Sequence, residues 1–317
     1  MYAVPSLRHL EMFQLLMRTH NLTTTARLMG VSQPAVSLAL KEVENQTGFR
    51  LFNRNSRRIE PTTEAIALQP EIERLFGEIG SLTRKISDLR NPGGGSINVA
   101  SVLSLTAAVL PRAAAGFHRD HPHVHVGLYI HRYVDVIAQV REGTADMGFI
   151  YSAGGEYAEA QHTMMAEKLI ETQLVCIFRA SDPLAEKRRI TLKDLEGRGL
   201  IVVSSQTVPG LLLRRRLVER RGSVDVLDIN NAFTAVNLAR EGLGVGLADP
   251  LLLSAYCGAG MVGRPFDPPV ALTMTMLTSR GDNRCKAAAG FVHHVKAAAV
   301  EEVKKLTDLG INAQICS

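Results

Sequence analysis

Residues 22–36 read LTTTARLMGVSQPAV. Leu22 to Met29 reads as a short helix that Gly30 stops. Ser32 opens another helix, with Pro34 in its first turn, where a missing N–H costs little. Ala26, Gly30 and Val36 stand at the fifth, ninth and fifteenth places counted from Leu22. A helix-turn-helix needs those types: a small residue where the helices touch, a glycine in the tight turn and an aliphatic plug between them. Met29, Val31 and Ala39 fill the remaining interior positions. Upstream, Leu7, Leu10, Phe13, Leu15, Leu16 and Met17 give a first helix an apolar face that ends near Thr19, and Thr23 is placed to cap the second. The plainer alternative is an arbitrary corner between two helices of a bundle.

If the third helix enters a major groove, Ser32, Gln33, Pro34, Ser37 and Lys41 are its candidate contacts, joined by Thr23 and Thr24 at the start of the second helix. Glutamine can bond bidentately to adenine, while serine and lysine suit phosphates and base edges. Gly48 to Arg54, followed by Arg57 and Arg58, reads as two short apolar-alternating pieces around a basic turn, a β-wing. Arg54, Arg57 and Arg58 there could lie along phosphates or in a narrow minor groove; a solvated surface turn is the alternative. Charge agrees with a polyanion partner. Residues 1–60 hold eight Lys/Arg against four Asp/Glu, so most of the overall +5 sits in the first fifth of the chain.

Beyond Pro61-Thr62-Thr63 the chain reads as helix to about Leu89. Leu68, Ile72, Leu75, Ile79, Leu82, Ile86 and Leu89 alternate spacings of four and three, an a/d seam of about three heptads. An intramolecular core face is the plainer reading of such a stripe, but the helix leads into the glycine-rich hinge Asn91–Ser96, so it is expected to project and pair with a second copy. Pro70 predicts a kink or a ragged start. Such a dimer would present two recognition helices to a partly palindromic DNA site.

The chain has 317 residues, 46% hydrophobic and 21% charged, which suits two or three globular domains and excludes collagen, a long disordered tail or a disulfide-stapled miniprotein. No window approaches the ~18 apolar residues of a membrane span, and Arg8, His9 and Glu11 interrupt the first apolar stretch, against a signal peptide. Cys176, Cys257, Cys285 and Cys316 are widely spaced, which predicts reduced thiols in a cytoplasm rather than a zinc site. From Ile97 onward, strands alternate with helices. Strands are expected at 97–102, 124–129, 146–150, 174–178, 200–203, 224–229, 245–248 and 270–277, and helices at 105–118, 132–142, 211–221, 232–241 and 286–305. This predicts two α/β lobes with largely parallel sheets and a cleft at the carboxyl ends of the strands. Gly242 to Gly246 precedes a strand rather than following one, so it reads as a helix-to-strand turn and not a nucleotide loop. No Ser/His/Asp or Cys/His set stands at catalytic spacing, so no enzyme and no cofactor are expected. His121, His123 and His125 read as a solvated strand edge in preference to a metal site.

The stretch Leu7 to Glu64 carries V-S-Q-P-A-V-S, then E-x-x-T-G-x-x-L-F-x-R and R-R-I-E-P-T. It resembles the DNA-binding domain of the LysR-type transcriptional regulators, and the rest of the chain follows that family's layout. Leu38 and Ala39 stand where many members carry Arg and Gln, and Asn21 where Ser is usual. The resemblance implies an α/β protein with an N-terminal all-α winged helix-turn-helix and a two-lobed, periplasmic-binding-protein-like effector domain. The expected divisions are a DNA-binding domain at 1–61, a dimerising linker helix at 62–90, a hinge at 91–96 and an effector domain at 97–317. Lobe 1 would hold about 97–166 and 268–317, and lobe 2 about 167–267. Expected partners are double-stranded DNA at a promoter, a small-molecule effector, a second copy as dimer or tetramer, and RNA polymerase, with no membrane.

Strand ends supply the effector candidates. Ser104 opens the first helix of the lobes, where its hydroxyl and free N–H groups could take an anion, and it matches the polar residue of the family's effector site. His131, Arg132 and Tyr133 begin the next helix, and Ser204, Ser205 and Thr207 follow the second lobe's first strand. Asp249-Pro250 follows its last strand, within an A-R-E-G-x-G-x-x-x-x-D-P pattern that is similar to opine-responsive members. Arg132 and Asp249 could bracket a zwitterion, although Asp249 also reads as a plain helix N-cap. The competing readings are a solute-binding protein on the same lobes and a constitutive DNA binder with a degenerate cleft.

Overall fold

The computed structural model describes residues 5–55, 58–90, 95–152, 164–218, 226–256, 260–279 and 286–316. Two compact units divide the chain at Gly80/Ser81. The first contains α1 (Leu7–Thr19), α2 (Leu22–Met29), α3 (Gln33–Thr47), the hairpin β1 (Phe52–Asn55) and β2 (Arg58–Pro61), and the opening turns of α4 (Thr63–Arg90). Side chains cap the first three helices: Ser6 accepts from the His9 N–H, Asn21 from the Thr24 N–H at 2.9 Å and Ser32 from the Ala35 N–H. The cap of α2 is therefore Asn21, not Thr23. Asn21 has the extended backbone a cap needs, and Thr23 is already inside the first turn. Gly30 sits at φ +66, where a β-carbon would meet nothing, so the turn selects glycine for its backbone and not for space.

Met12, Phe13, Leu16, Ala26, Val36, Leu40 and Val43 are buried together with Leu51, Phe52 and Ile59 of the wing and Ala65 and Ile72 of α4. Met29, Val31 and Ala39 pack half-buried against them. The Glu44 carboxylate accepts from the Leu51 N–H at 2.8 Å and the Phe52 N–H at 3.2 Å, tying the wing to the end of α3. Thr62 caps α4 by accepting from the Ala65 N–H. The ragged start predicted at Pro70 is not found, because α4 begins at Thr63 and is continuous across the proline. Pro70 and Ile66, four residues earlier, are both exposed, so water can serve the carbonyl that loses its helical partner.

The second unit builds two six-stranded sheets. In chain order it runs β3 (Ser96–Ser101), a 3-10 turn (Leu103–Thr106), α5 (Val109–Asp120), β4 (His125–Ile130), α6 (Tyr133–Arg141), β5 (Met147–Ser152), β6 (Met164–Gln173) and β7 (Val175–Arg179). There follow β8 (Ile190–Thr191), β9 (Leu200–Val203), α7 (Val208–Val218), β10 (Val226–Ile229), α8 (Ala232–Arg240), β11 (Val245–Ala248) and α9 (Pro250–Tyr256). β12 (Met261–Asp267), β13 (Ala271–Ser279), α10 (Lys286–Asp308) and β14 (Gln314–Ile315) close the chain. Lobe 1 has the strand order β14-β6-β13-β5-β3-β4 and lobe 2 the order β10-β9-β11-β7-β12-β8.

The sheets are mixed, not largely parallel. β3 runs parallel to β4 and β5, and β9 parallel to β10 and β11, but β13, β6 and β14 in lobe 1 and β7 in lobe 2 pair antiparallel. The antiparallel members include β6 and β12, neither of which the sequence pattern disclosed. Glu167, Lys168 and Glu171 veil the alternation of β6, and Pro265 interrupts β12. Because β6 pairs with β13, lobe 1 extends to Gln173 rather than 166, and the two crossovers fall at 173–175 and 267–271. Along β5, Met147, Phe149 and Tyr151 join the main core, while Ile150 joins a smaller cluster under α6 with Val136 and Val140. His121 ends α5, His123 lies in the following turn and only His125 enters a strand, so the three do not share a strand face. Among the described residues no group of His, Cys, Asp and Glu is disposed to hold a metal.

Candidate functional site

In lobe 2 the parallel strands β9, β10 and β11 end together, and Ser204, Asn230 and Asp249 follow them. The 3-10 turn of lobe 1 contacts α8 and α9 of lobe 2, and β5 contacts α7. The two lobes therefore meet where Leu103–Thr106 and β5 of lobe 1 face α7, α8 and α9 of lobe 2.

Asp249 is the pivot of this region. It is 1% exposed and does two things at once. Its Oδ1 accepts from the Leu252 N–H at 3.2 Å, which makes it the N-cap of α9, and from the Tyr151 hydroxyl at 2.7 Å, which joins lobe 1 to lobe 2. Ser104, in the 3-10 turn of lobe 1, lies close enough to both side chains to oppose the rise in their pKa. Burial pushes the Asp249 carboxyl above the usual carboxylate range, against the pull of Tyr151, the Leu252 amide and Ser104. Burial, together with the neighbouring Asp249, holds the Tyr151 hydroxyl well above the usual phenol range, so it remains a neutral donor. Glu302 on α10 is fully buried, 3.6 Å from Arg112, and its charge adds to the effect on Tyr151. Ser152 and Thr275 share a buried hydrogen bond of 2.8 Å at the end of β5.

The structure brings Ser104 and Asp249 together, and it places Ser104 within a 3-10 turn of four residues rather than at the start of a longer helix. The expected helix at 105–118 is broken into that turn and α5. Nor is the Arg132–Asp249 bracket formed. Arg132 is 74% exposed and its guanidinium pairs with Asp135 at 2.8 Å, in the first turn of its own helix α6. His131 follows β4, its N–H donating to the Ser101 carbonyl, and Tyr133 packs half-buried at the start of α6. Ser204 and Thr207 close a local turn in which the Thr207 hydroxyl donates to the Ser204 carbonyl and accepts from the Gly210 N–H; Ser205 is exposed. Sequence reasoning missed Tyr151 and Glu302, because an apolar strand and an amphipathic helix gave neither residue a motif.

In the first unit, Ser32, Gln33, Pro34 and Lys41 are exposed on α3, and Ser37 is half-buried. The Gln33 amide Nε2 donates to Ser37 Oγ at 3.0 Å, which orients the glutamine. Thr23 and Thr24 lie in the first turn of α2, where Thr23 is exposed. Arg54 and Arg58 belong to β1 and β2, paired with Ile59 and Asn55 across the hairpin; Arg57 lies outside the described residues.

A winged helix-turn-helix in one unit and a two-lobed cleft in the other define an effector-controlled transcription regulator. Residues 7–66 match the bacterial regulatory helix-turn-helix proteins of the lysR family, and residues 90–300 match the LysR substrate binding domain. The chain belongs to the LysR family of transcription regulators, and it is not an enzyme. It is 27% identical over 272 residues to the HTH-type transcriptional regulator DgcR of a Pseudoalteromonas species, covering 86% of this chain and 92% of that protein. It is 30% identical over 248 residues to the octopine catabolism/uptake operon regulatory protein OccR of Rhizobium meliloti, covering 77% and 80%. A full-length OxyR variant from Pseudomonas aeruginosa shares the fold, with a TM-score of 0.58 at 16% identity over 92% of this chain and 98% of that one. The helix-turn-helix match also sets aside the solute-binding alternative. Among the described residues no helix is long and apolar enough to cross a membrane.

Proposed function

We propose that this regulator, working in the cytoplasm as a dimer or tetramer, responds to an amino-acid-like effector that enters the cleft and takes over Asp249. The observation that carries the reading is the buried Tyr151–Asp249 hydrogen bond between the lobes. A buried carboxyl that accepts from a phenol in one arrangement can accept from an ammonium or guanidinium group in another, and cationic donors are the stronger partners. The likeness to OccR, whose name specifies octopine, supports an opine or related amino acid bearing both a cationic group and a carboxylate. Ser104, Tyr151 and Asp249 form the centre of this site, with His131, Arg132 and Tyr133 after β4 and Ser204, Ser205 and Thr207 after β9 as outer contacts.

Exchange of one partner of Asp249 for another biases the lobes between two arrangements, which requires the effector to bind them with different affinity. The expected hinge at 91–96, of which residues 91–94 lie outside the described residues, is the route by which that difference would reach the DNA-binding pairs. On the DNA side, Ser32, Gln33, Pro34, Ser37 and Lys41 of α3 meet the major groove, Thr23 and Thr24 the backbone, and Arg54, Arg57 and Arg58 of the wing the phosphates or minor groove of a partly palindromic promoter site, where RNA polymerase is a further partner.

The test is a panel of amino acids, opines and small carboxylates read by thermal shift and by footprint length on promoter DNA. A cationic amino acid or opine is expected to raise the Tm and change the footprint in the native chain, and to do neither in Asp249→Ala. A flat response to the whole panel in the native chain would sink the effector reading and favour a constitutive DNA binder.

A further inference from the structure

The outer ridge of α3 carries Pro34, Leu38, Lys41 and Asn45, spaced four, three and four, all exposed and opposite the buried Val36, Leu40 and Val43. Leu38 is 69% exposed, the highest value among the large apolar side chains described as exposed anywhere in the chain. A lone exposed leucine ordinarily needs no explanation. This one is different in its setting. It lies one helical turn beyond Pro34 on a face where Lys41, three residues on, supplies positive charge, while Gln33, held by Ser37, stands on the flank at the amino-terminal end of the same helix. Glu42, on its other flank, is turned to His9 at 3.8 Å, so the ridge itself presents no carboxylate within the first two turns.

We infer that Leu38 is a specificity-determining residue that packs against the 5-methyl group of a thymine in the operator half-site. The inference rests on the reading of α3 as the helix that enters the major groove. There, the thymine methyl is the one apolar feature of the base-pair edges, and apolar side chains select it. An amide that can pair with adenine at Gln33 and an apolar surface one turn further along read A·T-rich sequence with complementary chemistry. A cation at position 38 would instead seek a phosphate or a guanine edge and give no preference for the methyl.

The experiment starts from half-sites selected out of random duplex DNA by the full-length native chain. Each thymine is then replaced singly by deoxyuridine, which removes the methyl and leaves every hydrogen-bonding group. At one position per half-site, native binding is expected to weaken about fourfold, the loss of roughly one buried methyl. Leu38→Ala should bind thymine and deoxyuridine there equally while keeping its other base preferences and its Tm. Leu38→Arg should lose the thymine preference when sites are selected afresh. Indifference of the native chain to deoxyuridine at every position, or undiminished sensitivity in Leu38→Ala, overturns the role of Leu38 while leaving the DNA reading intact. Failure to select any sequence, together with no effect of Gln33→Ala, would overturn both.

Discussion

Asp249 shows how much one side chain can hold. Its carboxyl closes the first turn of α9 and receives the Tyr151 hydroxyl from the other lobe, both within a site from which water is nearly excluded. Tyr151→Phe leaves the ring in the core and removes only the donor, so the expected cost at neutral pH is about 1–3 kcal/mol, the range for a buried acceptor left short of a partner. The pH dependence has a definite sign. A carboxyl raised in the folded state binds its proton more tightly there than in the unfolded chain. Its favourable contribution is therefore complete below the unfolded value of about 4 and is lost as pH rises through the folded value. Tyr151 pulls that value down, so Tyr151→Phe should steepen the loss of stability with rising pH. Asp249→Asn should abolish this component while keeping an acceptor for Leu252. Urea unfolding between about pH 5 and 8 separates the three proteins, and parallel profiles would show that the carboxyl does not titrate there.

At the scale of elements, the proposed DNA contacts divide between α3 and the wing. α3 is held by Val36, Leu40 and Val43 and tied to the wing through Glu44, so its polar face is presented by a rigid frame. A base contact and a phosphate contact leave different signatures. Gln33→Ala should relax preference at one position of the half-site by about 1–3 kcal/mol, whereas Arg54→Ala should weaken all sequences alike and reduce the salt slope by about 1. Binding isotherms on matched and scrambled duplexes at several salt concentrations give both quantities. Identical behaviour of the two variants would mean that the contacts are wrongly divided. The elements themselves were unevenly legible. Leu22–Val36 could be read because caps, a left-handed glycine and an aliphatic plug are local requirements. β6 and β12 could not, since their pairing is with distant strands and their residues are as polar as a loop's. The same locality explains the site. Ser104 and Asp249 sit at strand ends that can be recognised in sequence, whereas Tyr151 stands among apolar residues of β5 with nothing beside it to mark a function.

For the whole molecule, the seam of α4 bears on the proposed association with a second copy. Ile72 is buried in the core of the first unit and Leu68 packs against it, but Leu82 and Ile86, further along the same seam, are 57% and 50% exposed. An a/d seam whose early members are used internally and whose later members face solvent is suited to pairing with a second copy. Leu82→Asp combined with Ile86→Asp should shift sedimentation toward the monomer and abolish cooperative occupation of paired half-sites, without lowering the Tm of the helix-turn-helix. An unchanged sedimentation coefficient would place the self-contact elsewhere. The sequence alone determined the helix-turn-helix, the heptad helix and the alternation of strands and helices beyond them, because each follows from periodicity and from glycine, proline and capping positions within a few residues; the two-lobed plan rested also on the family resemblance. Only the tertiary structure decided that β6 belongs to lobe 1, that Arg132 turns to Asp135, and that Asp249 meets Tyr151, 98 residues away. Those outcomes depend on which strands pair and which side chains are left without water, and burial at that range is a property of the assembled fold.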